Sequence, residues 1–324
     1  MDGAVSRYNN MDTEYMIAFF YFEGKIFQQT GFGRRRERTM ERKAYSKINL
    51  GLSVLGRRPD GYHQVDMIMQ SISLGDTITF ARADRLELVT DNPDLPCDGT
   101  NLMVKAALAF AQKTGKSADW QLTCAKRIFL AAGLAGGSTD AAAVLRGLND
   151  LSGQPLDRPA LEELAAAIGS DVPFCLYGGT QRARGRGEQM TVLPPVPRLD
   201  LVLAKPRDLG VSTAWVYREI DRIPGREPLD IRGLETAIRR GDRQGILDRM
   251  GNDLEKVTVA RYPVLRKLKE ELEALGAEKT LMSGSGPTVF GIFPGREGAE
   301  QAAEALGKQE VDIEIEVAHT VQEE

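Results

Sequence analysis

Histidine is nearly absent from this chain of 324 residues, which carries only His63 and His319. A Ser-His-Asp or Cys-His catalytic site therefore has two places to form, and neither imidazole stands beside a nucleophile-elbow sequence. Cysteine is scarce too: Cys97, Cys124 and Cys175 lie far apart, with no C-x-x-C pair. That spacing argues against a His/Cys metal centre and against a disulfide framework, and it fits a reducing, cytoplasmic setting. Long apolar runs are missing. The longest, Met16 to Phe22, falls far short of the about 20 residues that span a bilayer, and the acids ahead of it, Asp12 and Glu14, are the reverse of a secretory leader. Nor is there an excess of positive charge: 42 Lys+Arg face 46 Asp+Glu, a formal net charge of −4, which offers no general attraction to nucleic acid or to an anionic membrane. What is present is 42% hydrophobic and 27% charged residues, the make-up of a folded protein large enough for two domains or two lobes. Chemistry in such a chain must rest on lysine, aspartate, backbone amides or a bound cofactor.

Residues 1–43 read differently from the rest. Arg34, Arg35, Arg36, Arg38, Arg42 and Lys43 form a basic cluster diluted by Glu37 and Glu41, the pattern of a solvated tail. Met40 stands just before the first clear strand, so 1–39 is expected to be a disordered extension from a misassigned start.

Beyond it the pattern is regular. Ile48, Leu50, Leu52 and Val54 alternate with Lys47, Asn49, Gly51 and Ser53, a period of two that predicts a half-buried strand with Lys47 and Asn49 on one face. Further short strands are expected over 65–72, 77–81, 85–89 and 120–128, with helices over 101–113, 140–151 and 159–168, each ended by a glycine. The second half adds strands at 201–205, near Leu281, at 289–293 and at 312–318. Its helices are expected over 212–220, 231–239, 243–250, 263–275 and 297–306. Strands and helices come in clusters, which argues for an α+β plan over a doubly wound sheet.

Five segments have the composition for chemistry. Ala131 to Asp140 is a glycine-rich loop between a strand and a helix, able to curl round an anion and to offer it helix N-terminal amides. It lacks the lysine of a Walker A loop and does not match the dinucleotide fingerprint. Ser138, Thr139 and Asp140 are capping types, and either hydroxyl suits a phosphate-bound Mg²⁺. Lys47 and Asn49 share a strand face. Asp171, in Gly169-Ser170-Asp171-Val172-Pro173-Phe174, follows a helix and precedes an apolar run expected to be a strand, where an acid can cap a turn or accept a proton. Ser283 to Thr288 is a second flexible turn, and Tyr62-His63 supplies a ring beside the front half's sole imidazole.

In this order, Lys47-x-Asn49-Leu50, Gly133 to Asp140 and Ser283 to Thr288 resemble the three motifs of the GHMP kinase family. The resemblance runs from about Met40 to Val317. The runs Ala44 to Leu50, Arg58-Pro59-Asp60-Gly61-Tyr62-His63 and Ser170 to Phe174 are similar to those of members that act on a cytidyl diphosphate sugar alcohol. Two departures are Phe129, where the family loop opens with proline, and Ser138-Thr139, where it has paired serines.

The resemblance implies a two-lobed GHMP kinase fold, with a ribosomal-protein-S5-like N-terminal lobe at 40–195 and a ferredoxin-like C-terminal lobe at 196–324. It implies ATP-dependent phosphorylation of the C2 hydroxyl of that sugar alcohol, in isoprenoid precursor synthesis. Lys47 and Asp171 would be the catalytic pair. Phe129, Leu130, Ala131, Ala132, Gly133, Leu134, Ala135, Gly136, Gly137, Ser138 and Thr139 would cradle ATP with its Mg²⁺, for which no protein ligand is assigned. Asn49, Tyr62, His63, Thr213 and Tyr217 would bind the substrate, Tyr62 and Tyr217 stacking on the cytosine and His63 hydrogen-bonding to it. A monomer or homodimer working on small molecules, without nucleic acid or membrane partners, is the corresponding expectation. The alternatives are a GHMP kinase for a mevalonate-like or homoserine-like alcohol, and a regulator that binds nucleotide without turnover. A base-reading Tyr62-His63 argues against the first, and retention of both Lys47 and Asp171 against the second.

Overall fold

The computed structural model describes residues 39–308 and 312–322, and before them the backbone of two strands, β1 (Met16–Phe22) and β2 (Lys25–Gly31), which pair antiparallel as a hairpin. Both strands fall in the segment read as an extension; the arginines at 34–36 and 38 lie outside the described residues. Segments 1–38 and 39–324 are separate units.

The larger unit is built on two sheets. The first centres on a long antiparallel pair, β3 (Met40–Arg57) and β4 (His63–Arg82), joined by the turn that carries Arg58 to Tyr62. β6 (Trp120–Ala125) and then β5 (Glu87–Thr90) extend it from β4, while β7 (Thr180–Gly185) pairs with another stretch of β4 and carries β8 (Gln189–Val192). The alternation after Lys47 predicts a strand with one wet face, yet β3 is buried on both faces from Ser46 to Val54. A register shift between Asn49 and Gly51 explains this. Ile48 and Leu50 belong to a core with Leu201, Leu203 and Phe290, whereas Leu52 and Val54 belong to a core with Phe80 and Leu145. An extra residue turns the following side chains to the opposite face, so one strand serves two cores. The separate strands expected at 65–72 and 77–81 are one strand. Gly75 does not break it but lets β3 approach, since a Cβ there would stand 2.8 Å from the Ala44 carbonyl oxygen.

Helices cover the first sheet. α1 (Leu102–Thr114) is capped by Asn101, whose side chain accepts from the Met103 amide, and ends at Gly115 with φ +68°. α2 (Gly136–Leu151) begins four residues earlier than its apolar pattern suggests, and its N-cap is Ala135 with no side-chain cap, so Ser138, Thr139 and Asp140 sit inside the first turns. α3 (Arg158–Ile168) follows Asp157, which accepts from the Ala160 amide. The strand expected after Asp171 is instead helix α4 (Val172–Tyr177). Its first five residues are buried, which erases any periodicity, and Pro173 fits a helix's first turn.

The second sheet has the order β11 (Lys279–Met282), β12 (Val289–Phe293), β9 (Asp200–Pro206), β13 (Ile313–His319), all antiparallel. Between its strands run α5 (Thr213–Ile220), α6 (Ile231–Arg240), α7 (Arg243–Arg249), α8 (Glu255–Arg261), α9 (Pro263–Ala274) and α10 (Arg296–Gly307). The short β10 (Gly251–Asn252) leaves this half and pairs parallel with β3 at Gly51 and Leu52. Asp253 secures the junction, accepting from the Val54 amide at 2.9 Å and the Ser53 hydroxyl at 3.1 Å while 1% exposed.

Candidate active site

The loop from Phe129 to Ala135 leaves β6 and enters α2 in an unusual backbone. Ala131 and Ala135 hold φ values of +49° and +59°, and Gly133 +76°. Two alanines in the left-handed region are a local strain that the surrounding contacts must hold in place. The main chain of Gly133 presses against the turn at Ser283–Gly286, where its carbonyl accepts from the Ser283 hydroxyl at 3.0 Å. A Cβ on Gly133 would lie 2.3 Å from the Ser283 carbonyl oxygen and 3.0 Å from that of Gly286, both backbone atoms. Gly133→Ala is therefore expected to destabilise the protein by at least about 2 kcal/mol. Gly137→Ala, whose Cβ would meet only Leu102 at an ordinary 3.5 Å, should be close to neutral, the two variants being compared by urea unfolding.

A cleft of about 1200 Å³ opens over this loop. Gly136, Gly137 and Ser138 line it, and the first amides of a 16-residue helix lack intrahelical partners, so they form a positive end ready for phosphate. Ser138 faces the cleft with a hydroxyl that makes no hydrogen bond among the described residues. Thr139 instead donates its hydroxyl to the Tyr45 carbonyl at 2.6 Å and is 2% exposed. Leu134 is likewise buried in the core, so these two residues support the loop from behind.

Lys47 and Asp171 meet in the same cleft. The Lys47 ammonium is 5% exposed and donates to Asn49 Oδ1 at 2.9 Å and to the Gly133 carbonyl at 3.1 Å. Asp171 Oδ2 stands 3.9 Å from it, an ion-pair distance beyond hydrogen-bond reach, and its side chain is 32% exposed. Although Asp171 is the N-cap of α4, its carboxylate makes no capping bond and is left open to the cleft. Asn49 Oδ1 also accepts from the Gly284 amide at 3.1 Å, and the Asn252 side chain donates to the Met282 and Gly284 carbonyls, both at 2.8 Å. All three sequence motifs are thereby tied to one another.

An aromatic cluster stands where the β3–β4 turn faces α5. Tyr62 is 58% exposed, with the Arg186 guanidinium 4.7 Å over its ring. The Tyr217 ring lies 4.8 Å from that of His63, and burial together with the charge of Asp171 pushes its phenol pKa up. Thr213 Oγ1 and Ser285 Oγ are 2.8 Å apart, linking α5 to the third motif. Lys47, Asn49, Tyr62, His63, Asp171, Thr213 and Tyr217 all line this one cleft.

Some participants carry no local signal. Beneath the loop, the Lys126 ammonium lies between Asp76 and Asp140, 2.5 and 2.7 Å from their Oδ2 atoms, and no side chain of the three is more than 2% exposed. Asp76 Oδ1 also accepts from the Arg127 and Ile128 amides, fixing the entry to the loop. Burial, with a second carboxylate nearby, pushes Asp140 up to about 8.

The family model for the GHMP kinases N terminal domain matches residues 101–179, and that for the GHMP kinases C terminal matches residues 234–312. A 4-diphosphocytidyl-2-C-methyl-D-erythritol kinase of Moorella thermoacetica is 49% identical over 267 residues, covering 81% of this chain and 93% of that protein. The chain belongs to the GHMP kinase family. It is an ATP-dependent phosphotransferase. A second relative with the same enzyme name, from a Synechococcus strain, is 44% identical and covers 84% of this chain and 91% of its own. A crystal structure of 4-(cytidine 5'-diphospho)-2C-methyl-D-erythritol kinase superposes with a TM-score of 0.73 at 34% identity, covering 86% of this kinase and 99% of that one. Homoserine kinase from Cytophaga hutchinsonii shares the fold at a TM-score of 0.70 with 20% identity, covering 90% of this chain and 97% of its own. No helix among the described residues is long and apolar enough to cross a membrane.

Proposed function

We propose that the kinase transfers the γ-phosphoryl group of ATP to the C2 hydroxyl of 4-diphosphocytidyl-2-C-methyl-D-erythritol, a step in making isoprenoid precursors. The observation that carries this reading is the joint presence, in one cleft, of a phosphate loop, the Lys47–Asp171 pair and an aromatic end built from Tyr62, His63 and Tyr217. An alcohol such as mevalonate or homoserine has no base to engage such an end.

Asp171 accepts the proton of the attacking hydroxyl, and its open carboxylate is free to do so. Lys47, held by Asn49 and Gly133 and 3.9 Å from Asp171, stabilises charge as it develops. The amides of Gly136 to Ser138 receive the ATP phosphates. Phosphoryl transfer asks chiefly for such positioning and charge neutralisation. Among the described residues no three His, Cys, Asp or Glu side chains gather as metal ligands. The donor set that remains, the Ser138 hydroxyl beside phosphate oxygens, suits Mg²⁺. Ser138 would hold the ion together with ATP, and bound Mg²⁺ supplies further neutralisation of the transferring group. Tyr62 and Tyr217 flank the cytosine, His63 hydrogen-bonds to it, and Asn49 and Thr213 hold the substrate beside the catalytic pair.

On this reading residues 40–195 form the nucleotide lobe and 196–324 the second lobe, a division that follows sheet membership except at β10. The enzyme is taken to work in the cytoplasm as a monomer or homodimer. The test is ADP release from ATP and Mg²⁺ with the cytidyl substrate, mevalonate or homoserine. Turnover of the cytidyl compound alone is expected; turnover of mevalonate or homoserine in its place would overturn the assignment.

A further inference from the structure

His63 opens β4 and Asp221 ends α5, 158 positions apart. Their side chains nevertheless meet: Nε2 of His63 lies 2.9 Å from Oδ1 of Asp221, with the two side chains 11% and 31% exposed. Tyr217 covers the imidazole from the same helix. Both residues line the cleft, and Nδ1 of His63 has no partner among the described residues.

An ionised carboxylate only accepts hydrogen bonds, so the proton of a neutral imidazole paired with it resides on Nε2. Nδ1 is then a lone-pair acceptor directed elsewhere, as when a carboxylate fixes the tautomer of a metal-bound histidine. Cytosine and uracil differ at the atoms such an acceptor can test. Cytosine carries an amino donor at C4, where uracil carries a keto oxygen that would oppose the Nδ1 lone pair.

We propose that Asp221 is a positioning residue that holds His63 as an acceptor and thereby makes the cleft select a 4-aminopyrimidine over a 4-oxopyrimidine nucleotide. The inference rests on the cytidyl reading above and adds to it the residue that sets base identity. A site that must leave a buried polar group unpaired against the wrong ligand discriminates far more strongly than one that measures size, up to about 10⁴-fold.

The experiment compares the wild type, Asp221→Ala, Asp221→Asn and Asp221→Glu with the cytidyl substrate and its uridyl counterpart. Alongside, the imidazole nitrogens are read by ¹⁵N NMR in the substrate-free enzyme, His319→Gln assigning the signals. In the wild type, Nε2 is expected to be protonated and Nδ1 bare when the ring is neutral. The alanine and asparagine variants should narrow the cytidyl-to-uridyl ratio of kcat/KM at least tenfold, mostly through KM, and glutamate should restore part of it. Asparagine should act more strongly, because its amide can donate to Nε2 and move the proton to Nδ1. A protonated Nδ1 in the wild type, or a ratio changed less than twofold in both variants, would overturn the proposal. Failure of the wild type to use the cytidyl compound would instead strike the functional reading, and the NMR measurement needs no substrate.

Discussion

Asp171→Asn should lower kcat by about 10²–10⁴-fold, the range spanned by a single positioned proton acceptor, while ATP affinity measured by calorimetry stays within about twofold. The separation follows from where Asp171 sits. Its carboxylate bonds no amide of the loop and makes no capping bond to α4, and its ion-pair partner among the described residues is the Lys47 ammonium at 3.9 Å. Asparagine keeps its volume and removes only its basicity. Lys47→Met should behave differently. Lys47 binds the Gly133 carbonyl and Asn49, which in turn receives the Gly284 amide, so its loss loosens the first and third motifs and the loop they brace. Turnover and ATP affinity should then fall together. An Asp171→Asn enzyme with wild-type kcat would remove the carboxylate from the reaction.

The second large effect lies beneath the loop. Asp76→Ala should cost about 3–5 kcal/mol in urea unfolding, the usual penalty for breaking a buried ion pair, because it takes one partner from Lys126 and a side-chain acceptor from the Arg127 and Ile128 amides. Asp140→Asn should cost little, although that carboxylate is equally buried. One ammonium cannot neutralise two buried carboxylates, and asparagine at 140 leaves in place the bonds of Asp76 to Lys126 and to the Arg127 and Ile128 amides. Burial, with Asp76 nearby, raises Asp140 to about 8, so near neutral pH it carries a proton and asparagine copies its neutral form.

The same imbalance sets a pH dependence. With Asp140 raised from 3.8 to about 8, the folded protein holds a proton across that window which the unfolded chain has released. Its contribution is complete below about pH 4 and is lost as pH rises through 8. The wild type should therefore lose stability from this group between those limits, and Asp140→Asn should flatten that part of the profile. Equal slopes in the two proteins would show that Asp140 is ionised throughout.

Much of the site was legible in local spacing. The period-two run after Lys47 and the glycine loop before α2 are features that neighbouring residues settle among themselves. So were Lys47 and Asp171, through their resemblance to a motif pattern. Where local signals were silent or ambiguous, packing decided. The apolar stretch after Asp171 has no period because it is buried, so its form as α4 rests on tertiary contacts and Pro173.

Sequence alone thus determined most of the elements and the glycine-rich loop, because periodicity and glycine conformation act over a few residues, while the candidate reactive pair came from the resemblance to a family's motifs. Tertiary structure alone decided that one strand would feed two cores, that Lys126 would be shared by Asp76 and Asp140, and that Asp221 would reach His63. Those arrangements join residues as distant in the chain as Ile48 and Phe290, and only the order of the strands, the bulge in β3 and the packing of helices on the sheets bring such groups together.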